Sequence, residues 1–176
     1  MALTLDAEAA ALTDVARLMC LAARTAPKAC GIDQIVTALV TDRADLETLA
    51  AEMTRLAEEL NAPFFARDAQ NLLNSTACVI IGTKLDRRHV PGCNLCGFPG
   101  CEASEEAGAR CALCVGDLGI ALGSAASVAM NHRADNRIMY TIGLAAVRLG
   151  LLGSEVALAH AIPLAARGKN IYFDRK

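Results

Sequence analysis

Cysteine dominates the chemistry available to this chain. Eight cysteines occur in 176 residues, and five of them fall within residues 93 to 114, "CNLCGFPGCEASEEAGARCALC". Their spacing is Cys93-x2-Cys96-x4-Cys101-x9-Cys111-x2-Cys114. Soft thiolates converging on one point suit an iron–sulfur cluster or zinc. Gly97, Pro99 and Gly100 interleave with them, which lets the chain turn sharply and offer backbone N–H groups to bound sulfur. Two ligand sets are open on spacing. Cys93, Cys96, Cys111 and Cys114 form two C-x2-C pairs separated by 14 residues, close to a four-cysteine zinc site that leaves Cys101 idle. A four-iron, four-sulfur cluster would use Cys93, Cys96 and Cys101 with one of Cys111 or Cys114.

The elements that must position these sulfurs are legible from periodicity. Residues 6–24 are rich in Ala and Leu at helical spacing and read as an amphipathic helix ending near Pro27. "QIVTALVT", 34–41, is β-branched and reads as a strand. Asp42 is placed to cap a second helix, along which Leu46, Leu49, Ala50, Met53, Leu56, Ala57 and Leu60 trace one apolar stripe. A shorter helix is predicted over 66–74 and a buried strand over 77–82, ending at Gly82. A polar connection, 83–92, leads into the cysteine segment. Beyond it, "DLGIALGSAASVAMNH" reads as a helix whose small residues allow close packing, 137–153 as another helix, and the remainder as extended segments. Helices and strands alternate without a repeat. The simplest account is one domain, residues 1–176, with helices and sheet and a metal-binding segment at 93–114.

Composition narrows the function classes. Hydrophobic residues make up 54%, so a packed core is expected; aromatics are 3%, with no Trp. Few aromatics and a net charge of −2 argue against nucleic acid as a partner. No signal peptide is recognisable in the first 20 residues, and no run of 18 uncharged apolar residues occurs, so a cytoplasmic protein without a membrane span is expected. There, clustered cysteines serve metal or redox chemistry more often than disulfides. Cys20, Cys30 and Cys78 lie apart from the cluster; Cys20 and Cys78 are expected to pack as small apolar side chains.

"CNLCGFPGC" resembles the cluster-binding motif of the four-iron domain in ion-pumping ferredoxin-oxidising complexes and related corrinoid proteins. There a C-x2-C-G-aromatic-x-G-C run supplies three ligands and a later cysteine the fourth. "AARTAPKACGID", "DLGIALGSA", "DNRIMYTIGLAA" and "IPL" with "GKNIYFDR" resemble a prokaryotic family described as containing a ferredoxin domain. Its single cysteine ahead of the D-L-G-I-A run corresponds to Cys111. The resemblance therefore implies one [4Fe-4S] cluster held by Cys93, Cys96, Cys101 and Cys111, in an electron-transfer protein or reductase component with an undefined redox partner. "AARTAPKACGIDQIVTALVTDRADLETLA" is also similar in layout to flavin nitroreductases, which are α+β homodimers holding FMN between subunits. That similarity implies a nitroreductase-like α+β fold, a homodimer and FMN as a second cofactor.

Charged segments offer two readings each. "NHRADNR", 131–137, is either a solvated turn in which Asp135 caps the next helix or a substrate-binding loop. Arg167 and Lys169 in "RGKN" mark a glycine turn or a small anion grip. Lys28 is a surface lysine or a cation beside a cofactor. His89 and His160 show no partner in the sequence, and no Ser–His–Asp order, P-loop or G-x-G-x-x-G run is present.

Overall fold

The computed structural model describes residues 6–173. The order is α1 (Ala7–Thr25), β1 (Ile35–Val40), α2 (Arg43–Glu59), α3 (Phe64–Leu73), β2 (Ala77–Lys84), α4 (Cys101–Glu106), α5 (Ala112–Asn131), β3 (Asp135–Asn136), α6 (Tyr140–Arg148) and β4 (Val156–Ala165). The four strands form an antiparallel sheet in the order β1-β2-β4-β3. Helices cover both faces, giving an α+β architecture of three layers.

The run "ACVIIG" is apolar throughout because β2 is buried on both faces. Ala77, Val79 and Ile81 face a layer made by α1 and α5, where they meet Ala16, Met19, Leu118 and Ala125. Cys78 and Ile80 face the opposite layer of α2, α3 and α6, with Leu49, Met53, Phe65 and Ile142. This is the period-2 alternation of a strand. Burying each of Val79, Ile80 and Ile81 contributes roughly 1.5–3 kcal/mol.

Helix α2 starts where Asp42 accepts the Ala44 N–H at 2.8 Å, a cap worth about 1 kcal/mol. Leu46, Leu49, Ala50, Met53 and Leu56 of its stripe are buried; Leu60, one residue past the helix, is exposed. Gly143 in α6 lies so near β4 that an added Cβ would stand 2.0 Å from the Ala159 carbonyl oxygen, so only glycine lets this helix settle on the sheet.

Three elements differ from expectation. The cysteine segment contains a short helix, α4. Helix α5 begins at Ala112, five residues ahead of the Asp117 that opens the small-residue run. The helix predicted over 137–153 is confined to Tyr140–Arg148, because β4 draws the preceding residues into the sheet. Asp135 pairs with Ala165, and Met139 bridges Ala161. Asp135 is therefore a strand residue and not a helix cap. Helix α5 is long and apolar enough to cross a membrane by length and composition. Leu118, Ala121, Leu122, Ala125 and Ala129 are nevertheless buried against α1 and the sheet.

Candidate metal centre

The loop from 85 to 111 leaves β2 and returns at the start of α5, carrying Cys93, Cys96, Cys101 and Cys111. Side chains of Gln34, of Cys114 and Asp117 on α5, and of the loop's own Arg87 and Arg88 pin its base. The Asp86 carboxylate accepts from Gln34 Nε2 at 2.8 Å, and the Asp86 carbonyl accepts from the Cys114 thiol at 3.1 Å. Arg87 donates to the carbonyls of Ser104 and Ala109, both at 3.0 Å, tying the loop to α4. Arg88 turns the other way. Its Nη2 donates to Asp117 Oδ2 at 2.9 Å and to the Ile32 carbonyl at 3.0 Å. Asp117 Oδ1 accepts the Ala29 N–H at 2.8 Å. The Arg88 and Asp117 side chains are 1% and 5% exposed; removing one member of such a buried pair costs about 3–5 kcal/mol.

The sulfurs at this base are sorted by their surroundings. Cys111 is the N-cap of the 20-residue helix α5. Burial opposes its ionisation, but the N–H groups of Cys114, Arg88 and Leu113 beside its sulfur favour the thiolate and hold its pKa below the usual thiol value. The positive end of the helix dipole acts in the same sense. The Phe98 N–H and the Ser104 hydroxyl beside Cys96 lower the Cys96 pKa likewise, with Cys111 near enough to act on it in the opposite sense. Gly97, with φ of +85°, makes the turn that brings the Phe98 amide back to Cys96. Cys114 behaves differently. Burial, followed by the neighbouring Cys111, pushes its pKa up to about 12. It is a protonated donor to the Asp86 carbonyl and to Gln34 Oε1 at 3.4 Å.

Cys93 and Cys101 are half-buried. They line separate clefts that share the Val90–Pro91–Gly92 turn. Cys93 lines one cleft of about 440 Å³ together with Cys30 and Leu113, and Cys101 lines the other, of about 420 Å³, together with His89 and Glu102. Among the described residues, no three His, Cys, Asp or Glu side chains stand close enough to share a metal ion. The donor chemistry nevertheless fits a cluster: soft sulfurs, two of them drawn toward thiolate, amide N–H groups aimed at them and a buried cation alongside.

The outlying cysteines behave as small apolar groups or turn residues. Cys78 is fully buried, and burial raises its pKa. Cys20 is half-buried in α1, and burial raises its pKa too. Cys30 is exposed in a 3-10 turn with φ of +58°. The Lys28 side chain is 5% exposed and donates to the Ala23 and Arg24 carbonyls. It closes the C-terminal end of α1 and offers no free cation to a ligand. The Asp135 carboxylate accepts the Arg167 N–H at 3.1 Å, which draws "RGKN" and "NHRADNR" together as a turn against a strand end. Sequence reading missed Gln34, Arg87, Arg88 and Asp117. The adjacent arginines beside a cysteine segment were the available signal, but their acceptors lie 17 to 56 residues away.

Residues 107–175 match the model of a family described as "Uncharacterized protein containing a ferredoxin domain". That stretch includes Cys111 and Cys114 and stops short of the other three clustered cysteines. An uncharacterized protein of Archaeoglobus fulgidus is 42% identical over 168 residues, covering 91% of this chain and 89% of that protein. Among solved structures, a BluB-like flavoprotein from Clostridium difficile is similar with a TM-score of 0.62 and 15% identity, covering 100% of this chain and 87% of that one. A nitroreductase with bound FMN from Desulfitobacterium hafniense is similar with a TM-score of 0.63 and 12% identity, covering 96% and 81%. At such identities the likeness is one of fold, and the fold is nitroreductase-like.

Proposed function

Because the chain belongs to the ferredoxin-domain family, we propose that it is a cytoplasmic redox protein in which Cys93, Cys96, Cys101 and Cys111 hold one [4Fe-4S] cluster. The carrying observation is the division of labour at the start of α5. Cys111 is drawn toward thiolate by three N–H groups, while Cys114 is spent as a buried thiol donor. When bound, such a cluster supplies one-electron transfer. The chain's own residues do the rest. Amides of Phe98, Leu113 and Cys114 would donate to the ligand sulfurs beside which they lie, and Arg87 and Arg88 anchor the loop to α4 and α5. Residues 1–176 act as one domain, with 93–114 as the cluster-binding segment. Closing the set requires Cys93 and Cys101 to swing in from their clefts, a movement of the loop over 91–101. Anaerobic purification followed by iron, sulfide and zinc analysis tests the reading. Four irons and four acid-labile sulfides per chain, with a brown colour, support it; one zinc and no sulfide would replace it with a zinc-stabilised module.

A second reading adds flavin to the same frame. Its support is the nitroreductase-like fold together with the bound FMN of the Desulfitobacterium hafniense protein. The chain would then be a homodimeric reductase whose cluster feeds electrons to FMN at the subunit interface. Helix α5 offers a dimer surface: Gly116, Gly119, Gly123 and Ser127 form a bare exposed stripe flanked by Val115, Ile120 and Met130. Yellow flavin released on denaturation supports this reading, and its absence from protein grown with riboflavin counts against it.

A further inference from the structure

Arg88 carries buried donors that the fold does not use. Its Nη2 is satisfied by Asp117 and by the Ile32 carbonyl. Its Nε and Nη1 are buried and have no hydrogen-bond partner, although the side chain is only 1% exposed. Orphaned guanidinium N–H groups at that depth are rare in folded proteins and point to a missing acceptor. Asp117 has already supplied the counter-charge, so the missing partner need not be a protein carboxylate. The main-chain N–H of the same residue lies beside the Cys111 sulfur and favours its thiolate. Cys111 and Cys114 both lie near enough to act on the guanidinium charge. Its neighbour Arg87 donates to the carbonyls of Ser104 in α4 and Ala109 beyond it, and leaves only its Nε buried without a partner.

We propose that Arg88 is a positioning residue for sulfur at Cys111: its free Nε and Nη1 donate to the thiolate–cluster assembly, and its charge, locked by Asp117, sets the reduction potential. This rests on the cluster reading above. Reduction adds one negative charge beside a buried cation, so the guanidinium stabilises the reduced state more than the oxidised one. Removing the cation makes reduction harder, and removing its counter-charge makes reduction easier. Two substitutions in one ion pair should therefore move the potential in opposite directions, which a merely structural pair would not do.

The experiment is a dithionite redox titration of anaerobically purified protein, followed by visible absorbance and electron paramagnetic resonance. It compares wild type with Arg88→Gln, Arg88→Lys and Asp117→Asn, with folding checked by circular dichroism and iron counted per chain. Expected results are a more negative midpoint for Arg88→Gln, a midpoint near wild type for Arg88→Lys, and a more positive midpoint for Asp117→Asn. Should Arg88→Gln fail to fold, the sign of the Asp117→Asn shift decides. Variants that keep their iron with unmoved midpoints, or that move in the same direction, overturn this inference and leave the cluster in place. A wild-type protein without iron overturns the cluster reading and this inference with it.

Discussion

Cys111 and Cys114 stand three residues apart at the start of α5, yet the fold pushes their thiols in opposite directions. Cys111 has amide N–H groups beside it and its pKa is lowered; Cys114 donates to Asp86 and its pKa rises to about 12. On this basis Cys114→Ser should keep iron content and the resonance signal of the reduced protein nearly unchanged, since a serine hydroxyl can donate to the same carbonyl. Cys111→Ser should lose iron or alter the signal. The reverse pattern would move the fourth ligand to Cys114.

The other three sulfurs are tested as a set. Cys93→Ala, Cys96→Ala and Cys101→Ala should each remove most of the bound iron, because thiolates hold a cluster jointly and one missing ligand opens it to solvent. Metal analysis after anaerobic purification reads the outcome. Full metal content in Cys101→Ala, with loss in Cys114→Ala, would favour the paired C-x2-C zinc arrangement.

Alkaline pH should weaken the metal-free protein through Cys114. Unfolded thiols ionise near 9.0, whereas folded Cys114 holds its proton to about 12. Below pH 9 neither state ionises and nothing is lost. Between pH 9 and 12 the unfolded chain sheds a proton that the folded chain keeps, so stability falls as pH rises. For this group the loss is roughly 1.4 kcal/mol by pH 10. Cys20 and Cys78, also raised by burial, add to the same slope. Urea unfolding of wild type and Cys114→Ala at pH 8, 9 and 10 should show a shallower decline for the variant, whatever its starting stability.

Assembly is addressed by the exposed stripe on α5. A Cβ at Gly119 meets nothing within 4 Å, so Gly119→Glu should leave the monomer folded and raise helix propensity by roughly 0.5–1 kcal/mol. If the stripe is the dimer surface, a buried carboxylate there should convert a wild-type dimer to monomer in sedimentation at micromolar concentration. A variant that stays dimeric would place the interface elsewhere.

Much of this protein is legible in its sequence alone. The apolar run at 77–82 dictates a strand buried on both faces, and the Leu46-to-Leu56 spacing dictates the buried side of α2, because side-chain period and hydrophobicity are local properties. The crowding of five cysteines, with Gly and Pro between them, points to soft-metal chemistry for the same reason. Which sulfur becomes a thiolate is another matter. Cys111 and Cys114 differ only in what surrounds them: one caps a long helix, and the other is enclosed by Gln34 and Asp86 from chain segments far away in sequence. Asp135 has the residue type of a helix cap, but β4 is long enough to take it into the sheet. Arg88 sits in a run that reads only as a polar connection, and Asp117 at the head of a helix run, until the β2–α5 connection folds back and buries both. Protonation and ion pairing depend on desolvation and on partners brought together by the whole fold, so only the tertiary structure could decide them.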